Sequence, residues 1–285
     1  MAKPEEFNTP YSPTWCPGCG NFSIWNSLKK ALSELELAPK DIAMVYGIGC
    51  SGNMNNFVNT YAFHAIHGRT LPVATGIKLA NHKLQVIAVS GDGDGYGIGI
   101  AHLIHAVRRN LNLTYIVHNN MVYGLTTGQT SPTSGKGFVT KSTPGGAIEE
   151  AINPLALTLS AGATFIARGF AGDMPGLTEL LKEAIRHQGF SLVDVLQPCV
   201  TFNRVNTYQW YKKRVYKLEE EGYKPDERER AFARSQEWGE RIPIGIFYRE
   251  SRKTYEDELP ALAQSSLVEQ DIGDIDITQA MEEFA

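Results

Sequence analysis

The sequence predicts an α/β fold, a mostly parallel sheet with helices on both faces, followed by an irregular C-terminal extension. Three observations carry this: short apolar runs that end in glycine, helical periods lying between them, and a change of character after Thr201. In order, 22–35 reads as a helix, and 42–46 and 85–90 read as buried strands running into Gly47 and Gly91. A helix over 97–109 leads to a strand over 113–118, and 163–167 is a weaker strand. Residues 174–187 set Leu177, Leu180, Leu181 and Ile185 on one helical face ahead of a strand over 191–196. Residues 123–146, rich in Gly, Ser and Thr, show no period and read as an active-site loop. Beyond them, 208–223 is aromatic and charged, 227–240 is helix-like, and the chain past Leu267 reads as a poorly ordered acidic tail. The expected division is therefore one α/β domain over 1–200 and an extension over 201–285. In such sheets ligands bind at the carboxyl ends of the strands, here 47–52, 91–97 and 118–123.

A chain of 285 residues, 42% hydrophobic and 20% charged, has ample length for a large core. It contains no apolar run near the roughly 20 residues of a membrane span. The polar segment 1–10 lacks the apolar centre of a signal peptide, so the expected compartment is the cytoplasm. A net charge of −4 argues against a nucleic-acid partner. Charge is nevertheless uneven, because nine of the 31 acids follow Lys253, where no Lys or Arg occurs. Between Ile42 and Gly91 there is no Asp or Glu, yet Arg69, Lys78, Lys83 and three histidines lie there. That imbalance suits a surface receiving a diphosphate or carboxylate. Burial in the core explains 42–46 equally well, but not the polar 53–67.

The four cysteines all sit in Gly- or Pro-marked turns: Cys16-Pro17-Gly18-Cys19, Gly49-Cys50-Ser51 and Pro198-Cys199. In a reducing compartment they read as metal ligands rather than disulfides. Four thiolates complete one tetrahedral zinc or one [4Fe–4S] cluster, and the thiols alone do not choose between them. The segment 47–52 matches G-x-G-x-x-G, but no acid lies about 20 residues on to hold a ribose, which argues against NAD. Ser134-Gly135-Lys136-Gly137 lacks the Ser or Thr of a P-loop and is set aside.

Gly91-Asp92-Gly93-Asp94-Gly95 follows the 85–90 strand directly, and Asn120 comes 28 residues after Asp92 at the end of the next strand. One crossover helix puts the two side by side at one sheet edge. A carboxylate, an amide oxygen and a nearby backbone carbonyl are the hard ligands Mg²⁺ prefers. The glycines admit a diphosphate to the backbone N–H groups.

A GDG followed about 25 residues later by NN is the thiamine diphosphate signature. With the cysteine contexts, the chain resembles the β subunits of 2-oxoacid:ferredoxin oxidoreductases, nearest to those acting on 2-oxoglutarate or on a broader range of 2-oxoacids. The shared strings run almost end to end: 15–21, 47–50, His67-Gly68-Arg69, 91–95, Arg108-Arg109-Asn110, 123–126, and Pro198-Cys199 with Thr201-Phe202-Asn203. The resemblance implies the diphosphate-binding domain of a thiamine diphosphate-binding fold. It implies a [4Fe–4S] cluster on Cys16, Cys19, Cys50 and Cys199, and Mg²⁺ on Asp92, Asn120 and the carbonyl of Val122. Ile48, Gly49, Cys50, Ser51, Gly91, Asp92, Gly93, Asp94, Asn120, Tyr123, Gly124 and Leu125 would line the cofactor. His67 and Arg69 are candidate catalytic residues, His67 also a cofactor contact; Arg69 and Lys78 are alternatives for a substrate carboxylate or charge balance. A core histidine bonded to a backbone carbonyl is the plainer account of His67. Asn53 and 126–133 would add to the substrate pocket.

The implied reaction is oxidative decarboxylation of a 2-oxoacid to acyl-coenzyme A and CO2, with electrons passed to ferredoxin, or the reverse. Since Cys50 lies in the cofactor loop, cluster and cofactor should be close. No second α/β domain is legible in 201–285, so the activating glutamate should come from the pyrimidine-binding domain of an α subunit, in an αβ or (αβ)2 assembly. Two alternatives stand beside this: a zinc-stabilised scaffold, which leaves Asp92 and Asn120 idle, and a non-redox carboligase, which has no use for four thiolates.

Overall fold

The computed structural model describes residues 3–271, 273 and 276–284. Helix α1 (Gly20–Glu34) starts at Cys19 and leads to strand β1 (Ile42–Tyr46). Strand β2 (Tyr61–His64), helix α2 (Thr70–Ala80) and strand β3 (Gln85–Gly91) follow. A π-type turn over Gly93–Ile98 precedes α3 (Ile100–Arg109) and β4 (Thr114–Asn119). After the long loop come α4 (Pro154–Ser160), β5 (Phe165–Phe170), α5 (Met174–Arg186) and β6 (Ser191–Leu196). The remainder holds α6 (Tyr208–Lys212), β7 (Val215–Lys217), α7 (Arg228–Ser235) and β8 (Ile242–Arg249).

These strands form one eight-stranded sheet in the order β2-β1-β3-β4-β6-β5-β8-β7. The first six run parallel, and β8 joins β5 antiparallel with a register shift between Ile166 and Ala167. Strand period explains why both faces are apolar. Ile42, Met44 and Tyr46 pack with Ile24, Leu28 and Leu181 under α1 and α5, while Ala43 and Val45 pack with Leu103 and Val107 on the opposite side. The core thus has two apolar layers, one on each side of a continuous sheet.

The segment after 200 is more regular than its sequence suggests, since β7 and β8 extend the sheet. β8 runs through Pro243 and Gly245, and Gly245 takes φ +117, a value that favours glycine. Asn110, left-handed at the end of α3, ties this segment down. Its Nδ2 donates to the carbonyls of Arg252 and Lys253 at 3.2 and 3.0 Å, while its Oδ1 accepts from Thr164 and the Phe190 amide. In the acidic tail, a turn at Leu267–Glu269 brings Glu269 2.7 Å from Lys83, and a short helix spans Thr278–Glu282. Tail positions 272, 274, 275 and 285 lie outside the described residues. Among the described residues no helix is long and apolar enough to cross a membrane.

Candidate active site at the carboxyl ends of β1, β3 and β4

The loops after β1, β3 and β4 close around a cavity of about 230 Å³. Ile48, Gly49, Cys50, Ser51, His67, Gly91, Asp92, Gly93, Asp94, Asn120, Val122, Tyr123, Gly124 and Leu125 all line it, joined by His118 and Thr126. A larger cavity of about 540 Å³ lies on another face, between α5 and the β5–β8 edge, and contains none of these residues.

Register brings Asp92 and Asn120 together. Gly91 pairs with His118, so the residues that follow in each strand leave the sheet side by side. Asp92 is 1% exposed, and its Oδ2 accepts the Ser131 and Thr133 hydroxyls at 2.5 and 2.6 Å. Both fall on one oxygen, which leaves Oδ1 to meet a cation. Burial pushes the Asp92 carboxyl up to about 6 despite these hydroxyls, and Asp194 adds to the rise. A divalent ion is the natural partner of such a buried carboxylate. Met121 takes φ 57 between Asn120 and Val122, and this bend is held by the Ser134 hydroxyl on the Met121 carbonyl at 2.6 Å.

Behind Asp92 lies a buried polar chain. Thr133 Oγ1 is 2.9 Å from Asn119 Oδ1, and Asn119 Nδ2 donates to Asp194 Oδ1 at 3.0 Å. Asp194 also accepts from Tyr96 at 2.9 Å and pairs with Arg168 at 3.3 Å. Ser131 and Thr133 support Asp92 although no motif marks them beyond their place in the unpatterned loop, whereas Asn119 is the first residue of the NN pair.

Asp94 lines the cavity, but its oxygens are committed to the protein. Oδ1 accepts from the Ile48 and Gly68 amides and His67 Nδ1, and Oδ2 from Ser90 and Thr70. It acts as a brace joining three loops at the wall of the cavity. A Cβ on Gly47 would sit 2.0 Å from Asp94 Oδ2, so only glycine fits there. With Nδ1 donating to Asp94 at 2.7 Å, His67 presents Nε2 as its free nitrogen. This also sets aside the backbone-carbonyl account of His67.

Arg69 and Lys78 do not join the cavity. Arg69 is exposed, and its Nη1 lies 2.7 Å from His102 Nε2 on α3. Lys78 is 3% exposed and donates to the carbonyls of His82 and Leu84 at 2.8 and 3.0 Å. It stands two turns along α2, beside the start of β3. Neither Asn53 nor residues 127–133 contribute to the lining.

The cysteines gather beside this cavity. All four are free; Cys19 and Cys199 are buried, Cys50 is half-buried and Cys16 exposed. Burial first, then Cys199, Cys50 and Cys16 in turn, push the Cys19 thiol up to about 12, so the four lie within electrostatic reach of each other. Burial likewise raises Cys50 to about 11. Thiols this reluctant to ionise alone suit a cationic metal centre that stabilises them as thiolates. Among the described residues, no three His, Cys, Asp or Glu side chains are gathered as a single ion would need. Gly124 joins the two regions. A Cβ there would stand 3.4 Å from Cys50 Sγ, 3.8 Å from Cys199 Sγ and 3.9 Å from Asn120 Nδ2. Asn203 bridges them as well, its Nδ2 donating to the Asn120 carbonyl at 3.0 Å while its amide bonds the Cys199 carbonyl.

Residues 47–195 match the family model for the C-terminal TPP-binding domain of thiamine pyrophosphate enzymes. Residues 199–264 match that for the C-terminal part of pyruvate ferredoxin oxidoreductase β subunits. The chain is 50% identical over 266 residues to a 2-oxoacid:ferredoxin oxidoreductase subunit beta of Saccharolobus solfataricus, covering 89% of this chain and 87% of that protein. It is 48% identical over 201 residues to the 2-oxoglutarate oxidoreductase subunit KorB of Mycobacterium tuberculosis, covering 70% of this chain and 54% of that protein. A solved 2-oxoglutarate:ferredoxin oxidoreductase from Magnetococcus marinus, with 2-oxoglutarate, coenzyme A and succinyl-CoA bound, superposes with a TM-score of 0.91 at 36% identity, over 99% of this chain and 96% of that one.

Proposed function

The chain belongs to the β subunits of the 2-oxoacid:ferredoxin oxidoreductases, and from that premise we propose that it binds thiamine diphosphate with Mg²⁺ beside a [4Fe–4S] cluster and works on 2-oxoglutarate. Asp92, Asn120 and the Val122 carbonyl hold the Mg²⁺ in this reading, and Cys16, Cys19, Cys50 and Cys199 hold the cluster. When bound, the thiamine ring supplies the electron sink for decarboxylating a 2-oxoacid, and the cluster carries electrons onward singly. Coenzyme A receives the acyl group and ferredoxin the electrons.

One observation carries the reading: Gly124 faces Cys50, Cys199 and Asn120 at once. A redox centre and an oxygen-ligand cation site that share a wall suit a decarboxylation coupled to electron removal. A scaffold or a carboligase has no need of that adjacency.

This chain's residues supply binding and orientation. Glycines 91, 93 and 124 bare the backbone to a diphosphate, Ser131 and Thr133 fix Asp92, and Asp94 orients His67. The preference for 2-oxoglutarate draws on what the M. tuberculosis and M. marinus relatives act on.

Two measurements test the proposal. In the purified α–β complex, kcat/KM for 2-oxoglutarate should exceed that for pyruvate; equal or better use of pyruvate overturns the preference. Asp92→Ala should abolish thiamine diphosphate binding by calorimetry while iron and sulfide stay at wild-type levels, and Cys199→Ser should do the reverse. Unchanged cofactor affinity in Asp92→Ala would show the Mg²⁺ assignment to be wrong.

A further inference from the structure

Among the described residues, the buried polar atoms without a partner include Asn21 Nδ2, Ser51 Oγ, His118 Nε2 and Gln197 Oε1. Gln197 is set apart by its other amide atom, since Nε2 lies 3.3 Å from Cys19 Sγ. The same nitrogen is 3.0 Å from the Pro198 carbonyl, which can only accept. That contact fixes which end of the amide is nitrogen. One N–H therefore goes to the carbonyl and the second to sulfur.

The geometry is locked on every side. Gln197 is 1% exposed, and its own amide bonds the Asn119 carbonyl at 2.9 Å. Its Cγ presses so close to α1 that a Cβ on Gly20 would lie 2.7 Å away. Gly20 N–H also bonds the Pro198 carbonyl at 3.2 Å, stitching the Cys199 turn to the Cys19 turn. Cys19 in turn is the N-cap residue of the 15-residue α1, so its sulfur stands at the positive end of that helix.

We infer that Gln197 is a redox-positioning residue whose Nε2–H···Sγ bond to Cys19 holds that ligand and raises the reduction potential of the cluster. The inference rests on the assignment of a [4Fe–4S] cluster to these cysteines. Its physics is local. Reduction adds one electron and concentrates negative charge on the sulfurs, so an N–H donor stabilises the reduced form more than the oxidised one. In a site closed to water, a single amide dipole is weakly screened. Gln197 stands one residue from Pro198-Cys199, so the sequence offered it only as a neighbour of a ligand.

The test uses the α–β complex, wild type and Gln197→Met, a variant of similar length without a donor. Iron and sulfide contents come first: a wild-type complex without them overturns the cluster assignment and this inference with it. With clusters present, EPR-monitored titration with dithionite should give a more negative potential in Gln197→Met. The expected change is about tenfold in the reduction equilibrium, about 59 mV for a one-electron couple. An unchanged potential at full cluster content overturns the role of Gln197 and leaves the cluster assignment intact. If Gln197→Met fails to retain iron, wild type labelled with ¹⁵N in glutamine side-chain amides decides. Hyperfine coupling of that nitrogen to the reduced cluster supports the bond, and its absence refutes it.

Discussion

Asp92 offers a cation one oxygen because Ser131 and Thr133 hold the other. Thr133 also bridges to Asn119, and through it to Asp194 and Arg168, so it links the proposed ligand to the buried ion pair. Supporting partners of this kind are typically worth 10–100-fold in metal affinity. Thr133→Val keeps the shape and removes the hydroxyl. Mg²⁺-dependent thiamine diphosphate affinity should fall about tenfold by calorimetry, with iron content unchanged; wild-type affinity would mean Ser131 alone suffices. At this scale the sequence revealed what chemistry makes rare. Cysteines in turns, a GDG loop and an Asn pair each carry a recognisable demand, and the fold gathers them. It hid the serines, threonines and amides that support them, because such residues are common and their partners lie far away in the chain. Arg69 misled for the same reason: charge is visible in a sequence, but its direction is not.

Elements were legible where period and burial agree. β1 and β6 lie at their expected bounds, and α5 ends one residue early. β2 escaped notice because all four of its residues are exposed at the sheet edge, so no buried face imposes a pattern. α2 was hidden by Pro72 and Gly76. Pro72 sits in the first turn, where its missing N–H costs nothing. Gly76 is exposed, and a Cβ there would meet nothing within 4 Å. Gly76→Ala should therefore stabilise the chain by about 0.5–1 kcal/mol, read as a higher midpoint in denaturant; a lower midpoint would mean the surface is not open. The end of α5 carries a pH response. Burial first, then Arg249, lower His187 to about 4 from 6.5, and its Nε2 lies 2.9 Å from Thr164 Oγ1. Because the unfolded chain binds this proton more readily, stability from His187 is full above about 6.5 and is lost as pH falls toward 4. His187→Gln keeps a donor that does not titrate. Its unfolding free energy should lose about 1–2 kcal/mol less than wild type between pH 7 and 4, after allowing for partial exposure. Equal losses would assign the acid sensitivity elsewhere.

At the scale of the whole molecule, the cavity has everything to seat a cofactor and no acid to spare for activating it. Among the described residues, Asp92 and Asp94 are the only carboxylates that line it. The first is engaged by Ser131 and Thr133 and faces the proposed Mg²⁺, and the second is saturated by five donors. His67 has a free nitrogen, but its other one is fixed to Asp94, which holds it at the rim. The segment after 200 extends the sheet with β8 and β7, and its described residues form no second sheet. Ile48 and Leu125 of the cavity lining are exposed, as are Ile66 next to His67 and Ile98 against Gly68, apolar side chains of the kind a partner covers. A β subunit built this way should bind thiamine diphosphate and carry a cluster, yet fail to turn over until the α subunit supplies a carboxylate against the far end of the cofactor. The isolated chain, reconstituted with iron, sulfide, Mg²⁺ and thiamine diphosphate, should give no 2-oxoglutarate-dependent reduction of methyl viologen. Adding the α subunit should restore it, while cluster absorbance stays the same before and after. Sustained dye reduction by the chain alone would mean that one of its own groups activates the cofactor, and His67 would then be the residue to replace first.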